Sequence, residues 1–469
     1  MDNCFADIPN YENFIKIEPL TKGWSSDKKY VVQTADGKRL LLRIADISEH
    51  DRKKVEFEMM QKVEALGVPM QHPVDFGVCN DRKSVYILLT WVEGEDAEVL
   101  LPMLSETEQY VLGLKSGEIV RKMHSIPAPE AQEEWKTRFN RKTDMKIQKY
   151  HECGLRFQGD EHVLAYIEQN RHLLKNRPQC FQHGDYHIGN MMIENGELKI
   201  IDFDRYDFGD PWEEFNRIVW SAAASPYFAT GQLRGYFGDE PPLEFFKLLA
   251  FYIASNTLSS IYWVVPFGQS DLDTMMQQSQ DVLGWFDNMK NPVPTWYKKN
   301  IELMDVYDAD RKHTGYWIRG SGSRKEDEHV LIAAALLRRN DGRYLITKRS
   351  PQKDDANKWN IQGGAALAGE DSLTAAIREN GEECGIVPDS SSAELFMSVM
   401  KNTAFFDIWL FKQEYSLDDV ALCDGETCDV MSATLDEILE LHSCGEFTNG
   451  TIITADDFVA KLKAWEEAK

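Results

Sequence analysis

The chain has 469 residues, 43% apolar and 28% charged, with no low-complexity tract. That length exceeds one ordinary hydrophobic core and predicts two or three folding units. Its 77 acidic and 52 basic side chains give a formal charge of −25, which argues against nonspecific nucleic-acid or anionic-membrane binding. The opening MDNCFADIPNYENF lacks the regions of a signal peptide and the eight cysteines have no paired spacing, so a cytoplasmic protein is expected.

In chain order, VVQTADGKRLLLRIA carries a hairpin turn at Asp36-Gly37, and DRKKVEFEMMQKVEALGV has the 3–4 apolar period of a helix. SVYILLTWVEG reads as a buried strand, and beyond Leu100 helical patterns dominate. The longest apolar zone, Phe245 to Phe267, is broken by Lys247, Asn256 and several serines, so it reads as a buried helix pair and not as a membrane span.

The helical half is interrupted by FQHGDYHIGNMMIENGELKIIDFDRYDFGDPWEEF. Asp185 and Asn190 stand five apart after His183-Gly184. A strand–turn–strand with Asn195-Gly196 at its turn then delivers Asp202. Phosphoryl transfer needs one carboxylate beside the attacking hydroxyl, the role open to Asp185. It also needs an amide and a carboxylate for the metal on the nucleotide, the roles open to Asn190 and Asp202. His183 and His187 read as hydrogen-bonded scaffolding of this loop.

With the later Gly209-Asp210-Pro211 and the helix ending at His124, this layout resembles the aminoglycoside phosphotransferase family over about residues 15 to 290. The resemblance implies an α+β, two-lobed protein-kinase-like domain using ATP or GTP with Mg²⁺ or Mn²⁺ on a small-molecule phosphate acceptor. It also implies a phosphate loop at KGWSSDKKYVV, with Gly23, Ser25 and Ser26 as donors, and an interlobe hinge from Leu89 to Val92, with Thr90 and Val92 at the base. Where the family places a lysine on the third strand this chain has Arg43, with Glu56 as its expected partner and Glu58 as the alternative. Arginine forms such a pair with a larger, forked geometry, which leaves ATP versus GTP open.

The polar stretch 306–327, with its Gly-Ser-Gly-Ser run, is the expected linker between a domain at 1–305 and a second at 328–469. After it, VLIAAALLRR and RYLITKRS read as a hairpin around Asp341-Gly342. SVMKNTAFFDIWLFKQ reads as further strands, and TADDFVAKLKAWEEA as a terminal amphipathic helix.

Between them, GAALAGEDSLTAAIRENGEECGI sets Glu379, Glu382 and Glu383 on one face of a helix behind a glycine-rich loop. Like charges at that spacing are costly without a cation, and hard oxygen donors suit Mg²⁺ or Mn²⁺ holding a phosphate. The run resembles the Nudix box of pyrophosphohydrolases at every fixed position except Asn380, which stands where an apolar residue is expected.

The resemblance implies an α/β/α sandwich that hydrolyses a nucleoside diphosphate derivative. Glu379, Glu382 and Glu383 are its expected metal ligands, with Glu379 and Glu382 catalytic. Arg378, Glu370 and Gly364 support them, and Glu426 in DGETCDV is the further acidic ligand. Asn380 needs a partner on the packing face and Gly381 costs about 1 kcal/mol against Ala in a helix, so a weakened box helix is expected. Trp359 and Gln362 fit either a substrate pocket or core packing.

Together these readings predict a bifunctional enzyme: a small-molecule O-phosphotransferase joined to a Nudix pyrophosphohydrolase. The acceptor is an aminoglycoside-like antibiotic or a metabolite, and neither nucleic acid nor membrane is a partner. The oligomeric state stays open. The alternative is a nucleotide-sensing regulatory protein with one or both halves weak or inactive.

Overall fold

The computed structural model describes residues 5–21, 27–423, 425–448 and 458–467. Gly23, Ser25 and Ser26 lie outside the described residues, as do Asp456 and Asp457 ahead of the terminal helix. The chain forms two compact units, Met1–Lys299 and Asn300–Lys469.

The first unit opens with an antiparallel sheet of β1 (Phe14–Leu20), β2 (Lys28–Thr34), β3 (Arg39–Asp46), β4 (Pro73–Cys79) and β5 (Ser84–Thr90), in the order β1-β2-β3-β5-β4. The helix His50–Ala65 packs Met59, Met60 and Val63 against one face with Leu41, Ile87 and Leu89. Alternate residues Val32, Leu42, Ile44 and Leu88 fill the other face, as the two-residue strand period requires. The predicted hairpin forms, with Gly37 at φ 84°.

The larger helical part includes Glu106–Met123, which starts with a Ser105–Glu108 capping box, and Pro226–Phe237. Glycines 113 and 117 face glycines 231 and 235, and a Cβ at any of them would overlap the other helix's backbone. The apolar zone near residue 250 is one mostly buried helix, Leu243–Val264, and not the expected pair. Asn256 and the serines that break its apolarity do not end it; the Ser259 and Ser260 hydroxyls bond back to the Asn256 carbonyl at 2.8 and 3.1 Å. Short strands Cys180–Gln182, Met191–Glu194 and Glu197–Ile200 frame the His-Gly-Asp loop, the last two joined at Asn195-Gly196.

In the second unit, strand Val330–Arg338 runs parallel to Ala404–Lys412, which pairs antiparallel with Ala393–Lys401. Leu331, Ala333, Ala335 and Leu337 pack against Ala375, Ala376 and Cys384 of helix Ser372–Cys384. The intervening Ala334 and Leu336 face Leu435 and Ile438 of helix Leu435–Ser443, with Phe458 and Leu462 of helix Phe458–Glu467. This alternation makes the α/β/α sandwich.

Two expectations are corrected. The hairpin around Asp341-Gly342 pairs only at Arg338 and Tyr344. Strand Tyr344–Arg349 turns away to pair with Thr427–Ala433, and Gln362–Ala365 takes its place beside Val330–Arg338. The stretch 306–327 is not a plain linker. Its start completes a hairpin, Leu303–Tyr307 with His313–Ile318, because Met304 and Val306 bury their side chains and Tyr307 bonds to His329.

Candidate functional sites

The loop carrying Asp185 is held from beneath by Glu214, whose carboxylate accepts the backbone N–H groups of His183 at 2.6 Å and Gly184 at 2.9 Å. Gly184 has φ 81°, and a Cβ there would strike the Arg205 carbonyl, so only glycine fits. His183 is buried and its Nε2 lies 3.0 Å from the Ile201 carbonyl, while His187 Nδ1 accepts the Gly189 N–H. Both act as scaffold. Burial pushes the His187 pKa down to about 4, keeping the ring neutral.

Asn190 Nδ2 donates to the Asp185 carbonyl at 2.9 Å, tying the two residues together. Burial alone would raise the Asp185 pKa, but Arg217, 3.3 Å away, with Arg205 holds the carboxyl below its ordinary value. Asp202 follows the strand Glu197–Ile200 in a left-handed conformation, φ 64° and ψ 70°, an uncommon backbone state for a side-chain-bearing residue. Burial opposes its ionisation too, and Arg43 and Lys29 overcome it. Asp185 Oδ1 and Asp202 Oδ1 are buried and accept no hydrogen bond. Both face cations, Arg217 at 3.3 Å and Arg43 at 3.8 Å, and with the Asn190 amide they fit a bound nucleotide and cation by donor chemistry.

A cavity of about 410 Å³ is lined by Lys29, Arg43, Val92, Asn190 and Asp202, among others. Arg43 is 3% exposed. It donates to Glu56 at 2.8 Å and to Asp27 at 2.7 Å, and burial and these carboxylates act in opposite directions with its pKa raised overall. Glu56, fully buried, is therefore the partner, whereas Glu58 is exposed. Of the hinge pair, Val92 lines the cavity, but Thr90 does not. Its N–H donates to the His72 carbonyl and its hydroxyl accepts the His72 N–H.

Sequence reasoning missed three residues here. Lys29 sits directly across from Arg43 on β2 and reaches Asp202 Oδ2 at 3.2 Å. Lys53 bridges Asp27 and Glu56 at 2.7 and 2.9 Å. Glu214 is the third. The signal for Lys29 was its strand parity with Arg43; nothing local marked Lys53 or Glu214.

In the second unit, Asp371 caps the helix Ser372–Cys384 through the Thr374 N–H. Arg378 is the hub: it donates to Glu370 at 2.8 Å, Glu379 at 2.8 Å, Glu382 at 3.0 Å and the Ala365 carbonyl at 3.0 Å. Glu370 also accepts the Leu367 N–H, closing the loop. A Cβ on Gly364 would overlap the Glu379 carboxyl, which fixes that glycine.

The like-charge cost expected on this face is offset by Arg378. Burial nevertheless raises the Glu379 pKa, and burial with Glu379 nearby raises Glu383 to about 8. Glu383 Oε2 is buried without a hydrogen-bond partner. Glu426 is close enough to push Glu383 upward, and pairs with Lys353 at 2.5 Å. Among the described residues no three His, Cys, Asp or Glu side chains are arranged to hold a metal ion. The donor chemistry fits a hard cation, carried by the orphaned Glu383 oxygen, while Glu379 and Glu382 are turned to Arg378.

Asn380 is half satisfied, since its buried Oδ1 accepts no hydrogen bond. It is fully buried, and its Nδ2 donates to the Ile386 carbonyl at 2.5 Å, clasping the chain just past Gly385. Trp359 belongs to the core, and Gln362 is fully buried.

The profile of the phosphotransferase enzyme family matches residues 16–246, and that of the NUDIX domain matches residues 328–452. Uncharacterized Nudix hydrolases of Listeria monocytogenes and Listeria innocua are each 33% identical over 150 residues, which is 31% of this chain and 88% of theirs. Similar solved structures include a thermostable mutant of the aminoglycoside phosphotransferase APH(4)-Ia, at 16% identity and TM-score 0.44, covering 58% of this chain and 96% of that one. An amicoumacin kinase solved with AMP-PNP, Ca²⁺ and Ami has 13% identity and TM-score 0.44, covering 59% and 90%. A Deinococcus radiodurans protein has 22% identity and TM-score 0.29, covering 35% and 98%. The chain thus joins a domain of the phosphotransferase enzyme family to a Nudix domain, and through the latter it belongs to the Nudix hydrolase family.

Proposed function

We propose that the chain is a two-site enzyme, transferring phosphate from ATP or GTP to a hydroxyl-bearing small molecule at Asp185 and hydrolysing a nucleoside diphosphate derivative at the Ser372–Cys384 helix. The observation that carries it is the pair of buried oxygens Asp185 Oδ1 and Asp202 Oδ1, which accept no hydrogen bond and are faced by Arg217 at 3.3 Å and Arg43 at 3.8 Å. Folded proteins rarely leave such atoms without a hydrogen-bond partner, so they support a site made for ligands. We assign residues 1–299 to the first activity and 300–469 to the second, with the hairpin at 303–318 joining the second unit in place of a linker. The strongly negative charge supports cytoplasmic small-molecule chemistry without nucleic acid or membrane.

In the first reaction the acceptor oxygen bonds to the γ-phosphorus while the β–γ bridging P–O bond breaks. The nucleoside diphosphate leaves with that electron pair. Asp185 aligns the hydroxyl and accepts its proton late, since its depressed pKa makes it a weak base. Lys29 and Val92 hold phosphate and base, and Arg43 with Glu56 braces the strand beneath. Mg²⁺ or Mn²⁺, when held by Asn190 and Asp202, would screen the charge on the phosphates.

In the second reaction water attacks a diphosphate phosphorus and the P–O–P bridge breaks. Glu379, Glu382, Glu383 and Glu426 are the acidic residues for a divalent ion and the water, and Arg378, Glu370 and Gly364 hold them in place.

The test is crossed inactivation of the full-length protein. Asp185→Ala should remove transfer and spare hydrolysis, and Glu382→Gln or Glu383→Gln should do the reverse. Nucleotide binding with no turnover on either side would overturn the reading and favour a nucleotide sensor.

A further inference from the structure

A second cavity of about 270 Å³ opens beside Asp185, and its wall is basic. Arg205 and Arg217 line it and reach Asp185 through Nε, at 3.7 and 3.3 Å. Lys142 and Lys146 of helix Trp135–Glu152 line its floor. Of its two acidic residues, Asp207 is paired with Arg138, and Glu213 lies 3.6 Å from Lys142 and accepts from Gln182.

Lys146 stands out. It is 8% exposed and lines the cavity, yet its ammonium makes no hydrogen bond or ion pair with any described residue. Desolvation, with Lys142 nearby, outweighs the attraction of Glu213 and drags the Lys146 pKa down to about 7. Asn256, Ser259 and Ser260, the polar breaks in the long apolar helix, face the same cavity. With Asp207 offset by Arg138, the four cations Lys142, Lys146, Arg205 and Arg217 outnumber the carboxylates Glu213 and Asp185, a surplus of positive charge that disfavours a polycation and favours an anion.

We propose that this cavity holds the phosphate acceptor and that the acceptor is a hydroxyl-bearing small molecule carrying a carboxylate or phosphate group, received by Lys146 and Arg205. The inference rests on the assignment of Asp185 as the residue that meets the acceptor. It places the anionic group on the floor of the cavity and the hydroxyl at Asp185.

The test uses full-length protein saturated with AMP-PNP and Mg²⁺, so that the nucleotide site is filled, and titrates inorganic phosphate by calorimetry. Saturable binding is expected, weakened at least about tenfold by Lys146→Met and severalfold by Arg205→Gln, with AMP-PNP affinity kept as the measure of folding. Lys146→Arg should restore part of it. No saturable phosphate binding, or binding indifferent to both substitutions, overturns the inference.

Turnover with glycerate against glycerol 3-phosphate then separates carboxylate from phosphate, and kanamycin serves as the polycation. Preferential transfer to kanamycin contradicts the inference and leaves the phosphotransferase reading standing. Lys146-dependent phosphate binding with no transfer to any acceptor does the opposite.

Discussion

Lys29 Nζ lies 3.2 Å from Asp202 Oδ2, on the strand position directly opposite Arg43. The two cations divide the work. Arg43 is tied to Glu56 and Asp27 in a buried network with Lys53, whereas Lys29 stands at the cavity wall, 12% exposed, against a residue expected to face the nucleotide. A compact ammonium on a flexible stem suits a phosphate that arrives and leaves, and a forked guanidinium suits a fixed bidentate brace.

Lys29→Met should therefore weaken AMP-PNP binding and lower phosphotransfer by about 100-fold, the scale of losing one preorganised charge at a reacting phosphate. Thermal stability should change little. Titration of AMP-PNP and initial rates on the full-length protein check both.

Arg43→Ala should act on stability first. It strands Glu56 and Asp27, whose side chains are 0% and 4% exposed, with only Lys53 to compensate. Removing one partner of a buried pair costs about 3–5 kcal/mol. Denaturant unfolding of the first unit should show the loss.

Asn380→Ala should destabilise the second unit by about 1–3 kcal/mol, because the Ile386 carbonyl loses its donor and a cavity opens. Hydrolysis at temperatures well below unfolding should persist, since Glu379, Glu382 and Glu383 project from another face. Urea titration followed by activity at low temperature checks this. Gly364→Ala should show the converse, losing hydrolysis by displacing Glu379 with a smaller effect on stability.

Lys146 gives a pH dependence with a fixed sign. Its folded pKa, about 7, lies below the ordinary lysine value of 10.5. Between those values the unfolded chain binds the extra proton, so stability rises with pH across that window by up to about 1.4 kcal/mol per pH unit. Lys142 and Arg217 face this ammonium and favour losing the proton; Glu213 favours keeping it. Phosphate binding should run the other way, weakening as pH climbs through 7, and Lys146→Met should flatten both trends.

The order of the motifs was legible because each is local: Asp185 to Asn190, the turn at Asn195-Gly196, and the acidic helix face behind Gly364. The two faces of Val330–Arg338 were legible as a buried strand for the same reason. Long-range pairing was not. The Asp341-Gly342 turn could be read, but not that Gln362–Ala365 would displace its second strand, since register there depends on distant pairs such as Ala335 with Gln362 and Ile332 with Ala365. Lys53 and Glu214 act across separations that no spacing records, whereas Lys29 was marked only by its strand parity with Arg43. Asn380 was read as a defect because helical spacing gives only its own face; its acceptor, Ile386, lies beyond the helix end.

The most direct test of the central claim is release of nucleoside diphosphate by full-length protein supplied with ATP, Mg²⁺ and hydroxyl-bearing acceptors, comparing wild type with Asp185→Asn. The account predicts acceptor-dependent release that falls at least about 100-fold in the variant, on the scale of losing a positioned acid–base group, while AMP-PNP affinity is retained. Equal release by both proteins would contradict it.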